Sequence, residues 1–112
     1  MGLTQEIIGD VVVEKINISR ATYNEAEELK DKLSKNLQDG MLKIAVDLSG
    51  CNYMDSSFLG VLVQSLKNYS QKGGEFVLVN PHGEVEILLD ITGMRRIFKI
   101  FDTVEEAVKS FS

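Results

Sequence analysis

Hydrophobic positions along the chain switch between a period of two and a period near 3.6, and each switch marks an element boundary. Leu42, Ile44, Val46 and Leu48 alternate with Lys43, Ala45 and Asp47, which puts four aliphatic side chains on one face of a strand. Leu59, Leu62, Val63 and Leu66 then recur at the spacing that lines one side of a helix. Before this centre, residues 5–8 and 11–18 read as two strands joined at Gly9-Asp10, a dipeptide suited to a tight antiparallel hairpin. Thr22-Tyr23-Asn24-Glu25 has capping-box spacing and opens a helix that buries Ala26, Leu29, Leu33 and Leu37 and stops at Gly40.

After the central helix, Gly73-Gly74 closes it and residues 75–79 form a strand rich enough in apolar side chains to be covered on both faces. A helix over 84–92 buries Val85, Leu88 and Leu89 and ends at Gly93, and residues 97–101 read as the last strand. Thr103-Val104-Glu105-Glu106 repeats the capping-box spacing and opens a helix burying Val104, Ala107, Val108 and Phe111. Strands alternating with helices imply right-handed crossovers and an α/β fold. The expectation is one domain over 1–112, with a mostly parallel four- to five-stranded sheet, an antiparallel N-terminal edge strand and about four helices.

Composition narrows the function. A 112-residue chain with a net charge of −5 lacks the clustered Lys and Arg that nucleic acid or an anionic membrane would need, and Arg95-Arg96 is too short to count. No apolar run approaches the ~20 residues of a membrane span, and the N-terminus lacks the charged flank and apolar core of a signal peptide, so the protein is expected in the cytoplasm with no membrane insertion. One Cys and one His leave no internal disulfide and no metal-ligand cluster. Cys51 reads as a small buried filler, with a reactive thiol as the alternative. His82 lies in Pro81-His82-Gly83, a loop context that supplies no base to a serine nucleophile, and neither a nucleophile elbow nor a phosphate-cradling loop is present. The scattered Asp47, Asp55 and Asp90 lack hard-cation spacing. No enzyme and no cofactor are expected.

The remaining chemistry sits where the central strand hands over to the helix, in Tyr53-Met54-Asp55-Ser56-Ser57. Capping explains one short oxygen-bearing side chain there and is worth ~0.5–2 kcal/mol. With Asp55 as the cap, Ser56 and Ser57 fall in the first turn, and at least one hydroxyl should face solvent. A phosphate on it would bring about −1.5 to −2 charge to the positive end of the helix.

The run Tyr53-Met54-Asp55-Ser56-Ser57-Phe58-Leu59-Gly60-Val61 resembles the signature of STAS-domain anti-sigma factor antagonists. Leu89-Asp90-Ile91-Thr92-Gly93-Met94 is similar to a later segment of the same family, and the order of elements agrees throughout. The resemblance implies a STAS-like domain that binds a serine kinase doubling as an anti-sigma factor, with Ser56 phosphorylated by that partner and the phosphorylated form released. It further implies a partner-binding face drawn from Thr22, Tyr23, Asn52, Asp55, Ser56, Ser57, Phe58, Thr92 and Gly93. In that scheme Ser57 is a locally bonded first-turn hydroxyl. Ser19-Arg20-Ala21-Thr22 stands where the family usually carries an acidic segment, and Phe58 where it usually carries Gly. Phe58, Val61 and Ser65 form a second stripe on the central helix, either core or an exposed contact patch. The patch would suit a non-phosphorylated adaptor, such as a scaffold subunit of a signalling or transporter assembly. Small-ligand binding at the carboxyl ends of the strands carries no specific residue signal.

Overall fold

A computed structural model describes residues 2–111. The N-terminal strands are β1 (Leu3–Ile8) and β2 (Val11–Ile16), antiparallel as expected, with Gly9 at φ 63° making the turn that an L side chain would strain. Thr22 caps α1 (Tyr23–Gln38) in a closed capping box with Glu25. The central unit is β4 (Lys43–Asp47) and α2 (Ser56–Gln71), followed by β6 (Glu75–Val79), α3 (Gly83–Ile91), β7 (Lys99–Phe101) and α4 (Val104–Ser110). Two short strands absent from the sequence reading, β3 (Arg20–Ala21) and β5 (Tyr53–Met54), pair in parallel with each other and form a separate two-stranded ladder.

The main sheet has the order β1-β2-β4-β6-β7, parallel except for the β1–β2 edge pair. Side-chain alternation sorts its two faces. Val12, Ile16, Ile44, Val46, Phe76 and Leu78 pack with the apolar faces of α1, α2 and α3, whereas Val11, Val13, Ala45, Val77 and Val79 pack against α4. Three helices therefore share one face and one short helix covers the other.

Three local expectations change. Residues 97–98 do not begin the last strand: Met94–Ile97 form a 3-10 turn after Gly93, whose φ of 72° ends α3, and Phe98 instead stacks near Phe76 with ring centroids 6.4 Å apart. Thr103 caps α4 by accepting from the Glu106 N–H (3.1 Å), but the Glu106 carboxylate reaches the Asp102 N–H (3.3 Å), so the box is not closed. The third change concerns Phe58. Its side chain is 0% exposed and belongs to the main core, because α1 packs over that side of α2; Ser65 is buried beside it and Val61 partly so. The contact-patch reading of this stripe fails, and Phe58 presents no side-chain surface to a partner.

Candidate functional site

The β3–β5 ladder lays the segment before α1 alongside the segment before α2. The Asn52 and Tyr53 N–H groups both donate to the Ser19 carbonyl (2.9 and 3.0 Å), and the Asp55 N–H donates to that of Ala21 (3.0 Å). Arg20 stacks its guanidinium 4.1 Å from the centroid of the Tyr53 ring, and the Asn52 side-chain amide donates to the Ser19 hydroxyl (3.2 Å). Two helix starts thus sit side by side.

Asp55 joins them. Its Oδ1 accepts from the Phe58 N–H at 2.9 Å, the expected N-cap bond of α2, and its Oδ2 accepts from the Tyr23 N–H at 2.9 Å, in the first turn of α1. One carboxylate satisfies orphan donors on both helices, and its charge lies at two positive dipole ends. Sequence reasoning identified the first bond from the strand-to-helix switch. The second joins residues 32 positions apart, and no local pattern encodes it.

Where at least one exposed hydroxyl was expected, Ser56 and Ser57 are both exposed, and they look into different spaces. Ser56 lines a groove of about 370 Å³ between the start of α2 and α3, together with Tyr53, Glu84, Ile87, Leu88 and Ile91. Ser57 lines a separate groove of about 250 Å³ on the α1 side of α2, near Lys30, Ser34 and Gln64. Ile87 and Ile91 are 57% and 76% exposed, so the Ser56 groove has an apolar wall, and Glu84 and Asp55 give it an acidic rim. Their signal was present in the sequence: Ile87, Leu88 and Ile91 put apolar side chains on α3 beyond the buried stripe of Val85 and Leu89.

The other expected site residues divide. Thr22, half-buried, and Tyr23, 68% exposed, stand at the start of α1 beside Asp55. Asn52 is exposed, and its carbonyl accepts the Glu84 N–H (3.1 Å), which ties the start of α3 to the same ladder. Thr92 and Gly93 lie at the far end of α3, where the Thr92 hydroxyl donates to the Leu88 carbonyl (2.7 Å) and closes the helix. They do not line the Ser56 groove. Cys51 is buried and its thiol donates to the Tyr53 carbonyl (3.2 Å); burial pushes the thiol up from its ordinary value, so it is a filler and not a reactive group. Among the described residues no group of three His, Cys, Asp or Glu side chains is placed to hold a metal ion, and no helix is long and apolar enough to cross a membrane.

Comparison with known proteins meets this geometry. Residues 7–107 match the STAS domain family. A Thermotoga maritima protein designated an anti-sigma factor antagonist is 38% identical over 93% of this chain and 92% of its own length, and its crystal structure superposes with a TM-score of 0.87, covering 96% and 92% of the two chains at 35% identity. The anti-sigma-B factor antagonist of Staphylococcus aureus is 32% identical over 70% of this chain and 72% of its own length. The Bacillus cell fate determinant SpoIIAA, solved in its phosphorylated form, shares the fold with a TM-score of 0.78 at 20% identity, covering 98% and 99% of the chains. A family match over nearly the whole described chain, joined to this identity and this topology, makes the protein a member of the STAS domain family.

Proposed function

We propose that this protein is an anti-sigma factor antagonist, a binding regulator without catalysis of its own, which works in the cytoplasm by capturing an anti-sigma factor. The partner is a serine kinase, and Ser56 is its substrate. The γ-phosphoryl group of ATP held by the partner passes to the Ser56 Oγ; the bond to the leaving ADP breaks, and the hydroxyl proton goes to a base on the partner. Modification ends the complex.

The observation that carries this reading is the exposed Ser56 hydroxyl in the first turn of α2, on a rigid Asp55-capped junction and beside an apolar groove wall. A partner covering Ile87, Ile91 and Tyr23 would also cover Ser56. A phosphate there adds about −1.5 to −2 charge next to Asp55 and Glu84, and shutting such a group into an interface without a cation costs several kcal/mol. In the free protein the same phosphate stays in water at a helix start, where the dipole favours it. The names of the Thermotoga and Staphylococcus relatives support the regulatory class, and a SpoIIAA structure in the phosphorylated form supports a modifiable member of the fold. The adaptor reading drew on an exposed Phe58, and burial of that ring removes its support.

Peptide-level mass spectrometry on the protein recovered from its host, in growth and under stress, tests the switch. Phosphate on Ser56 that changes with condition is the expected outcome. A well-covered peptide without phosphate in any condition, or phosphate confined to Ser57, would reject it. Binding supplies a second readout: Ser56→Ala should hold the partner and Ser56→Asp should lose it, with both variants folded as the parent.

A further inference from the structure

Glu14 stands where the core should be apolar. Along β2 the even positions face α1 and α2; Val12 and Ile16 fill that layer, and Glu14 sits between them with 0% of its surface exposed. Neither carboxylate oxygen has a hydrogen-bond partner. A buried ionised carboxylate in that condition is costly and takes a proton instead.

The neighbours that could answer it are committed elsewhere or are charged. On β1, Gln5 lies directly across the ladder; its Oε1 accepts from the buried Asn36 amide of α1 (3.0 Å), and its own amide N–H groups make no hydrogen bond to Glu14. On β4 the opposed residue is the apolar Val46. From α2 comes Tyr69, whose hydroxyl donates to the Leu33 carbonyl (3.2 Å). From α1 come Lys32 and Glu28, of opposite sign, and neither forms an ion pair or hydrogen bond with Glu14. Burial pushes the Glu14 carboxyl up to about 7, Lys32 draws it down by less, and Glu28 adds to the rise.

We infer that Glu14 is a proton-linked hold on α1: the helix seats fully on the β1–β2 edge while the carboxyl is protonated, and ionisation loosens that seat. The direction follows from the surroundings. Beneath Glu14 lies the sheet, and to one side Tyr69 is locked to α1 by its own bond. The half-buried Lys32 on α1 is the cation facing it, and Gln5 on the exposed β1 edge is bonded to Asn36 of α1, so bringing water or the ammonium to the charge from either side disturbs the packing of α1. Loosening is transmitted to Tyr23, whose N–H is held by Asp55. That reach into the Ser56 face rests on the function proposed above; the proton linkage does not.

Carboxyl 13C NMR titration of the whole chain, paired with amide hydrogen exchange near pH 5.5 and near pH 8, tests the inference. Glu14 should titrate near pH 7, well above the ordinary glutamate value of 4.5. Protection of α1 amides, corrected for intrinsic exchange, should fall about tenfold more between the two conditions than protection in β4 and β6. In Glu14→Gln that excess loss should vanish. A Glu14 midpoint in the ordinary glutamate range, an equal loss in α1 and the sheet, or the same profile in Glu14→Gln overturns it. No partner enters these measurements, so their failure leaves the role of Ser56 untouched, and an unphosphorylated Ser56 leaves the proton linkage untouched.

Discussion

Asp55 and Glu14 are the same functional group in two opposite situations. Asp55 is half-buried at the rim of the sheet, and each of its oxygens accepts a backbone N–H at 2.9 Å from a different helix. Glu14 is fully buried one layer below, and neither of its oxygens accepts anything. The first carboxylate stabilises as a charge, because the helix ends around it are positive and their donors would otherwise be orphaned. The second stabilises only as an acid. A negative charge is thus built into the surface where a phosphate is proposed to arrive, and is disfavoured in the core where α1 meets the sheet.

Five substitutions at four positions sharpen that contrast, and the uncharged core sets the scale. Phe58→Ala removes a fully buried ring from the residue whose backbone N–H Asp55 accepts, and should cost about 3–5 kcal/mol in urea denaturation, the largest effect of the set. A loss below ~1 kcal/mol would mean that α1 does not cover the ring in solution.

Glu14→Met should act in the opposite direction. The carboxyl rises from its ordinary 4.5 to about 7 on folding, so its contribution is fully present below the unfolded value and is lost as pH climbs through 7. The variant should therefore gain about 2–3 kcal/mol over the parent near pH 8 and progressively less as pH falls toward 4.5. Parallel stability curves for the two proteins across that window would remove the contrast.

Asp55→Ala leaves two helix-start N–H groups without their acceptor, and should destabilise by about 1–3 kcal/mol at neutral pH. Asp55→Asn keeps one acceptor oxygen and should recover part of the loss, as chemical denaturation of the pair would show. The smallest effect belongs to Arg20→Met, which removes the guanidinium from the Tyr53 ring at a surface site and should cost about 0.5–1 kcal/mol. A larger cost would show that the β3–β5 ladder depends on that stack.

Most of the architecture was legible because periodicity and caps agree. The Thr22–Glu25 box, the turn at Gly9 and the switch of period at Asp55 each name a boundary that the structure keeps. What escaped was set by distance along the chain. A two-residue ladder such as β3–β5 takes its pairing from segments more than thirty positions apart, and nothing in Arg20-Ala21 or Tyr53-Met54 announces it. Phe58 was ambiguous for a related reason: helical spacing gives a stripe but not the neighbour that covers it, and here the neighbour is α1. The site was read as a serine beside its cap. Its apolar wall at Ile87 and Ile91 was missed because α3 was credited with one buried face when it carries apolar side chains on two. Glu14 passed unnoticed within a strand opened by three valines and closed by an isoleucine, all good strand formers.

The Tyr23–Asp55 bond and the ladder beneath it have a consequence for how the molecule matures. Contacts across 32 positions form only once the segment between them has closed on itself, which carries an entropic cost. Before it, each helix start has only its local cap, and Ser56, Tyr23 and the α3 wall are not held on one surface. On the function proposed above, a part-folded chain would present a partner with only separate pieces of that surface.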